Sequence, residues 1–128
     1  MSSTALGDNV AIEVESQYQA EQSDPDSNRF VFAYHITITN HNALPVQLMS
    51  RRWLIVDGDQ KTQEVEGEGV VGEQPVIAPD ESYSYTSGAV LATSVGSMQG
   101  HYNMVTDDGD EFIAPITPFT LARPNALH

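Results

Sequence analysis

An all-β domain, two antiparallel sheets packed face to face, is the architecture this chain encodes. Three observations predict it. Apolar residues recur at period two, and turn-forming clusters of Gly, Pro, Asn and Asp interrupt them roughly every ten residues. No window carries apolar residues at i, i+3, i+4 and i+7 with caps at both ends, so helical interludes are not expected. The chain has 128 residues, 40% of them hydrophobic, enough for one domain that buries a core without metals or crosslinks.

The elements follow in order. Val10, Ile12, Val14, Ser16 and Tyr18 alternate with Ala11, Glu13, Glu15 and Gln17, a first strand with one wet face. Asp24-Pro25-Asp26-Ser27-Asn28 is dense turn chemistry inside a loop from about Glu21 to Arg29. The second strand places Phe30, Phe32, Tyr34, Ile36 and Ile38 on one face. Five large side chains at period two make a core face. A third strand, Val46 to Val56, carries the only tryptophan, Trp53. Asp57-Gly58-Asp59 predicts a tight hairpin with the glycine at positive φ, and Lys61 to Glu66 returns as an edge strand.

A glycine loop and Val76-Ile77 come next. Tyr83, Tyr85 and Ser87 then alternate with Ser82, Ser84 and Thr86, running towards Leu91. Met98, Gly100, Tyr102 and Met104 share one face of the following strand, which Asp107-Asp108-Gly109-Asp110 turns back. The last strand, Phe112 to Leu121, carries Pro115 and Pro118, which cannot donate to a ladder and mark an edge or a bulge. The total is seven to eight strands.

Composition excludes several functions. Eighteen acidic residues against five basic ones give a net charge of −13. Such a field repels nucleic acid and anionic membrane, whose affinity comes from Lys and Arg neutralising phosphate. Cysteine is absent, which removes disulfides, thiolate metal sites and a cysteine nucleophile and fits a reducing compartment. The first residues, Met1 to Asp8, lack the basic start and apolar core of a signal peptide, and no apolar run approaches the ~18 residues of a membrane span. A cytoplasmic location is expected.

Gly67-Glu68-Gly69-Val70-Val71-Gly72 spells G-x-G-x-x-G, the pattern that cradles a pyrophosphate where a strand turns into a helix. Glu73-Gln74-Pro75 follows at once, so no helix starts on cue, and a Gly-Lys-Ser/Thr ending is missing. Such a loop could still form a backbone nest for an anion, but Glu64, Glu66, Glu68 and Glu73 surround it with like charge. Gly67, Gly69 and Gly72 are expected to shape a crossover or bulge.

Glu64, Glu66 and Glu68 fall on one face of an extended segment, an arrangement that could share a hard divalent cation or simply solvate an edge. His35 sits mid-strand, His41 and His101 are far apart, and His128 is the last residue, so no pair has zinc or cobalt spacing. Arg51-Arg52-Trp53 sets two of the five basic residues beside the lone tryptophan. Alternation sends Arg51 and Trp53 to one face and Arg52 to the other. Trp53 is expected in the core, with an arginine head paired to a carboxylate; the two arginines are the expected partner contact. No nucleophile elbow or Ser-His-Asp set appears.

Read together, several segments resemble the bacterial ApaG proteins: Glu21 to Pro25, Phe30 to Tyr34, Pro45 to Leu48, Ser50 to Trp53, Val65 to Pro75, Tyr85 to Gly88, Gly96 to Gly100 and Pro118-Phe119. The blocks keep their order and spacing along nearly the whole chain. One departure stands out: Arg52 occupies a position where the family commonly has histidine, so a role needing an imidazole there does not transfer. The resemblance implies a single domain over residues 3–127 with an immunoglobulin-like or fibronectin type III-like sandwich fold. It also implies a link to cobalt and magnesium tolerance, for which the family carries the alternative name CorD. Related domains in eukaryotic adaptor proteins imply a protein-binding module. No catalytic residues, metal ligands or cofactors carry over. The expectation is a non-enzymatic module that binds a protein partner, a second copy of the chain included. A small-ligand or divalent-cation sensor using the Gly67–Gly72 loop and its glutamates is the alternative.

Overall fold

The computed structural model describes residues 3–124. Eight strands follow a short helix: α1 (Ser3–Asp8), β1 (Val10–Tyr18), β2 (Phe30–Asn40), β3 (Val46–Asp57), β4 (Thr62–Glu68), β5 (Val76–Ile77), β6 (Ser82–Leu91), β7 (Val95–Thr106) and β8 (Glu111–Ala122). One sheet has the order β1-β2-β6; the other runs β4-β3-β7-β8, with β5 beside β3. Every pairing is antiparallel. The expected immunoglobulin-like, fibronectin type III-like sandwich is what the chain forms.

The second-strand alternation appears directly in the packing. Phe30, Phe32, Tyr34, Ile36 and Ile38 are all buried, each contributing roughly 1.5–3 kcal/mol of apolar transfer. Across the interior they meet Leu48, Trp53, Met98, Tyr102 and Met104. Trp53 is 2% exposed, as expected of a core tryptophan. The rings of Tyr34, Phe119 and Tyr102 stand edge-on to it at 5.6, 5.9 and 6.4 Å, the geometry that aromatic quadrupoles favour. Gly100 pairs with Trp53, and a Cβ there would run into the Arg52 carbonyl.

Three features depart from the sequence reading. The helix α1 was not expected; six residues are too few to register a helical period. It is held by tertiary contact: Leu6 packs on the core, and Asn42 Nδ2 donates to the Leu6 carbonyl at 3.1 Å. The loop before β2 contains two single turns of 3-10 helix, Ala20–Gln22 and Pro25–Ser27. In the first hairpin, positive φ falls on Gln60 at 65°, not on Gly58. Three residues separate Asp57 from Lys61, and in such loops a turn is followed by one left-handed residue. That residue is the last of the three, as Gly109 (φ 87°) is in the second hairpin.

Pro118 sits where expected of a bulge: the β7–β8 register slips between Met98↔Phe119 and Gly100↔Ile116. The two sides of the sandwich differ. On one, β1 and β8 close together through Ser16 Oγ, which donates to the Thr120 carbonyl at 3.1 Å. On the other, β4 and β6 are the outer strands of their sheets, and residues of both line a shallow cavity of about 250 Å³.

Candidate functional site

The glycine motif lies on this open side, and each glycine has a local cause. The chain leaves β4 at Glu68, and Gly69 N–H donates to the Met49 carbonyl at 2.9 Å. Val70 and Glu73 then exchange both backbone hydrogen bonds, at 2.8 and 2.9 Å. Two residues remain between them, Val71 at φ 45° and Gly72 at φ 83°. Positive φ at both corners is the signature of a type I′ hairpin turn. No helix follows Gly72; the next element is β5.

Gly69 is itself left-handed, at φ 62°, and a Cβ there would meet the Glu73 carbonyl. Gly67 makes room for a side chain. The Arg51 guanidinium lies across it, so that a Cβ would stand 2.7–2.9 Å from three guanidinium atoms. From there Arg51 Nη1 donates to the carbonyls of Gly69 (2.8 Å) and Glu68 (3.3 Å). Further anchors hold the loop to β3: Gln74 Nε2 to the Met49 carbonyl at 2.9 Å, Gln47 Nε2 to the Gln74 carbonyl at 3.1 Å, and Leu48 N–H to the Pro75 carbonyl at 3.0 Å. The N–H groups of Gly69, Val70 and Glu73 thus serve the chain's own carbonyls. An anion nest needs such donors unoccupied.

Arg51 and Arg52 take the opposite faces that alternation predicts, and the carboxylate pairing expected of an arginine head falls to Arg52. Arg51, on the tryptophan side, caps backbone carbonyls rather than a carboxylate. Arg52, on the outer face, pairs with Glu64 at 3.0 Å and with Glu66. These pairs are solvent-exposed and contribute little to stability. They also engage two of the three glutamates considered as cation ligands, and among the described residues no three Asp, Glu or His side chains gather in metal-binding geometry. His35 Nδ1 contacts Thr86 Oγ1 at 2.8 Å, and His41 lies 3.5 Å from Asp80. His128 lies outside the described residues.

The outer face of the larger sheet holds an open groove of about 730 Å³, lined by Met49, Ser50, Asn103, Ile113 and Pro115. Asn103 Nδ2 donates to Ser50 Oγ across its floor, at 2.8 Å. Next to it, Arg52, Glu66, Glu68 and His101 border a second depression.

One buried polar pair gave no sequence signal. Tyr85 and Tyr102 approach from opposite sheets and share a hydrogen bond of 2.5 Å between their hydroxyls. Burial pushes both phenols well above the ordinary tyrosine value of 10.0, since a phenolate there would lose its hydration. Nothing local marks two tyrosines as partners when they lie on different strands of different sheets.

The ApaG domain model matches residues 20–106, which include the β2 core face, the arginine pair, the glycine hairpin and the tyrosine pair. The chain belongs to the ApaG family. It is 56% identical to the ApaG protein of Azotobacter vinelandii over 119 residues, 93% of this chain and 94% of that one. The Pseudomonas aeruginosa ApaG protein is 57% identical over the same coverage. A crystal structure of a Bordetella pertussis protein, described as ApaA, superposes with a TM-score of 0.89 at 46% identity, covering 91% of this chain and 95% of that one. Among the described residues no helix is long and apolar enough to cross a membrane.

Proposed function

We propose that this ApaG-family domain is a non-enzymatic protein-binding module of the cytoplasm, and that it bears on cobalt and magnesium tolerance indirectly, through its partner. One observation carries the reading: the glycine hairpin, pinned to β3 by the chain's own hydrogen bonds, exposes its tip from Val71 to Gln74 on the side where two strand edges also stand open. Such projections and edges are the means by which β-sandwiches recognise other proteins. Arg52 faces solvent close by and belongs to the same contact region, whereas Arg51 supports it from beneath.

The test is affinity capture from native lysate at moderate salt, with an unrelated acidic sandwich as the control bait. A reproducible protein retained by this domain alone is the expected result. Retention of nothing beyond the control refutes the reading.

A further inference from the structure

The turn from Val70 to Glu73 is built against residue preference. Both corners of a type I′ turn are left-handed, a geometry that Gly, Asn and Asp accept and a β-branched side chain resists. Val71 nonetheless fills the first corner and is 57% exposed. Left-handed backbone costs an L-residue about 1–2 kcal/mol, and a side chain that exposed recovers little of it by burial. Strain of this kind persists where the surroundings over-determine it, and it concentrates at ligand contacts.

The surroundings do so here. Arg51, Gln47, Gln74 and the Met49 carbonyl fix the loop from below, while nothing lies within 4 Å of a Cβ built on Gly72 at the tip. A second valine, Val76, opens β5 just beyond the loop and is 63% exposed. The tip is flanked by exposed Glu68 and Glu73, while the Arg51 guanidinium beneath the loop is taken up by the carbonyls of Glu68 and Gly69.

We propose that Val71 is an apolar contact knob, held out by this loop for a protein whose receiving surface is an apolar pocket bordered by Lys or Arg. The inference rests on the protein-binding reading and names its surface. Preorganisation removes the ordering cost of a flexible loop, the valine supplies a desolvated centre, and the glutamates select a basic rim.

The test places a benzophenone photo-crosslinking amino acid at Val76, in the wild-type chain and in Val71→Asn and Val71→Ala backgrounds, with Val90 on β6 as the control position. Both variants relieve the β-branched strain, so each should melt at or above the wild type. The expected result is one crosslinked protein from position 76, weakened by added salt and reduced roughly tenfold or more in both variants. The same yield of the same product in folded Val71 variants overturns the knob while leaving the binding module intact. So does crosslinking from position 90 alone. No product from either position overturns both readings.

Discussion

Alkaline pH should destabilise this domain through Tyr85 and Tyr102. Both phenols are held above 10.0 by burial, whereas in the unfolded chain they ionise near 10. The unfolded state therefore releases protons that the folded state keeps. The stabilisation is complete below about pH 10 and is lost as pH rises beyond it. Each phenol contributes about 1.4 kcal/mol per pH unit, so the pair steepens the loss by about 2.7 kcal/mol per unit. Against a total stability on the order of 6–19 kcal/mol for a chain of this length, two units remove at most about 5 kcal/mol, a loss large enough to measure but short of the midpoint.

Urea unfolding read by Trp53 fluorescence, from about pH 8 to about pH 11.5, measures the slope. The reference is the double variant Tyr85→Phe/Tyr102→Phe, which removes both hydroxyls and leaves none orphaned; either single variant leaves one buried and unpaired, costing about 1–3 kcal/mol. Parallel loss of stability in wild type and double variant above pH 10 would refute the reasoning, since the hydroxyl pair would then be titrating without unfolding.

Three further outcomes follow from the geometry. Gly100→Ala drives a Cβ into the Arg52 carbonyl and to 3.1 Å from Trp53 Cα; a loss of about 3 kcal/mol, or roughly 11 °C in Tm, is expected by calorimetry. Arg51→Gln removes a charged donor from two loop carbonyls and should cost about 1.5–3 kcal/mol with faster amide exchange at Gly69 and Val70, whereas Arg52→Gln should stay within about 0.5 kcal/mol.

The strands and the core were legible because both depend on alternation, a local property. Phe30 through Ile38 declare their buried face in sequence, and Trp53 shares a face with Arg51 for the same reason. What lay hidden depends on contacts distant in the chain. The Asp57-Gly58-Asp59 hairpin already set β4 beside β3, but it did not show that Arg51, opposite Gly67, would end on the carbonyls of Glu68 and Gly69. The Tyr85–Tyr102 bond joins two sheets. Gly58 suggested the left-handed position of its turn, but loop length decides that position, and it fell to Gln60. The glycine motif was read as a backbone shape and not a phosphate cradle, but that the shape is a Val-Gly type I′ hairpin shows only in the Val70–Glu73 pairing.

The outer side of β6 has a consequence for handling the protein. Ser82–Leu91 contains no charge and no proline, and it pairs with β2 without a break in register. Elsewhere the sheet margins carry Glu13 and Glu15 on β1, three glutamates on β4, or the prolines of β8. At neutral pH the collective repulsion of −13 keeps molecules apart. As acidification approaches the sequence isoelectric point near pH 4.3 that repulsion falls away, and β6 is the margin where pairing between molecules is expected first. Storage in mildly alkaline buffer is what this margin asks for.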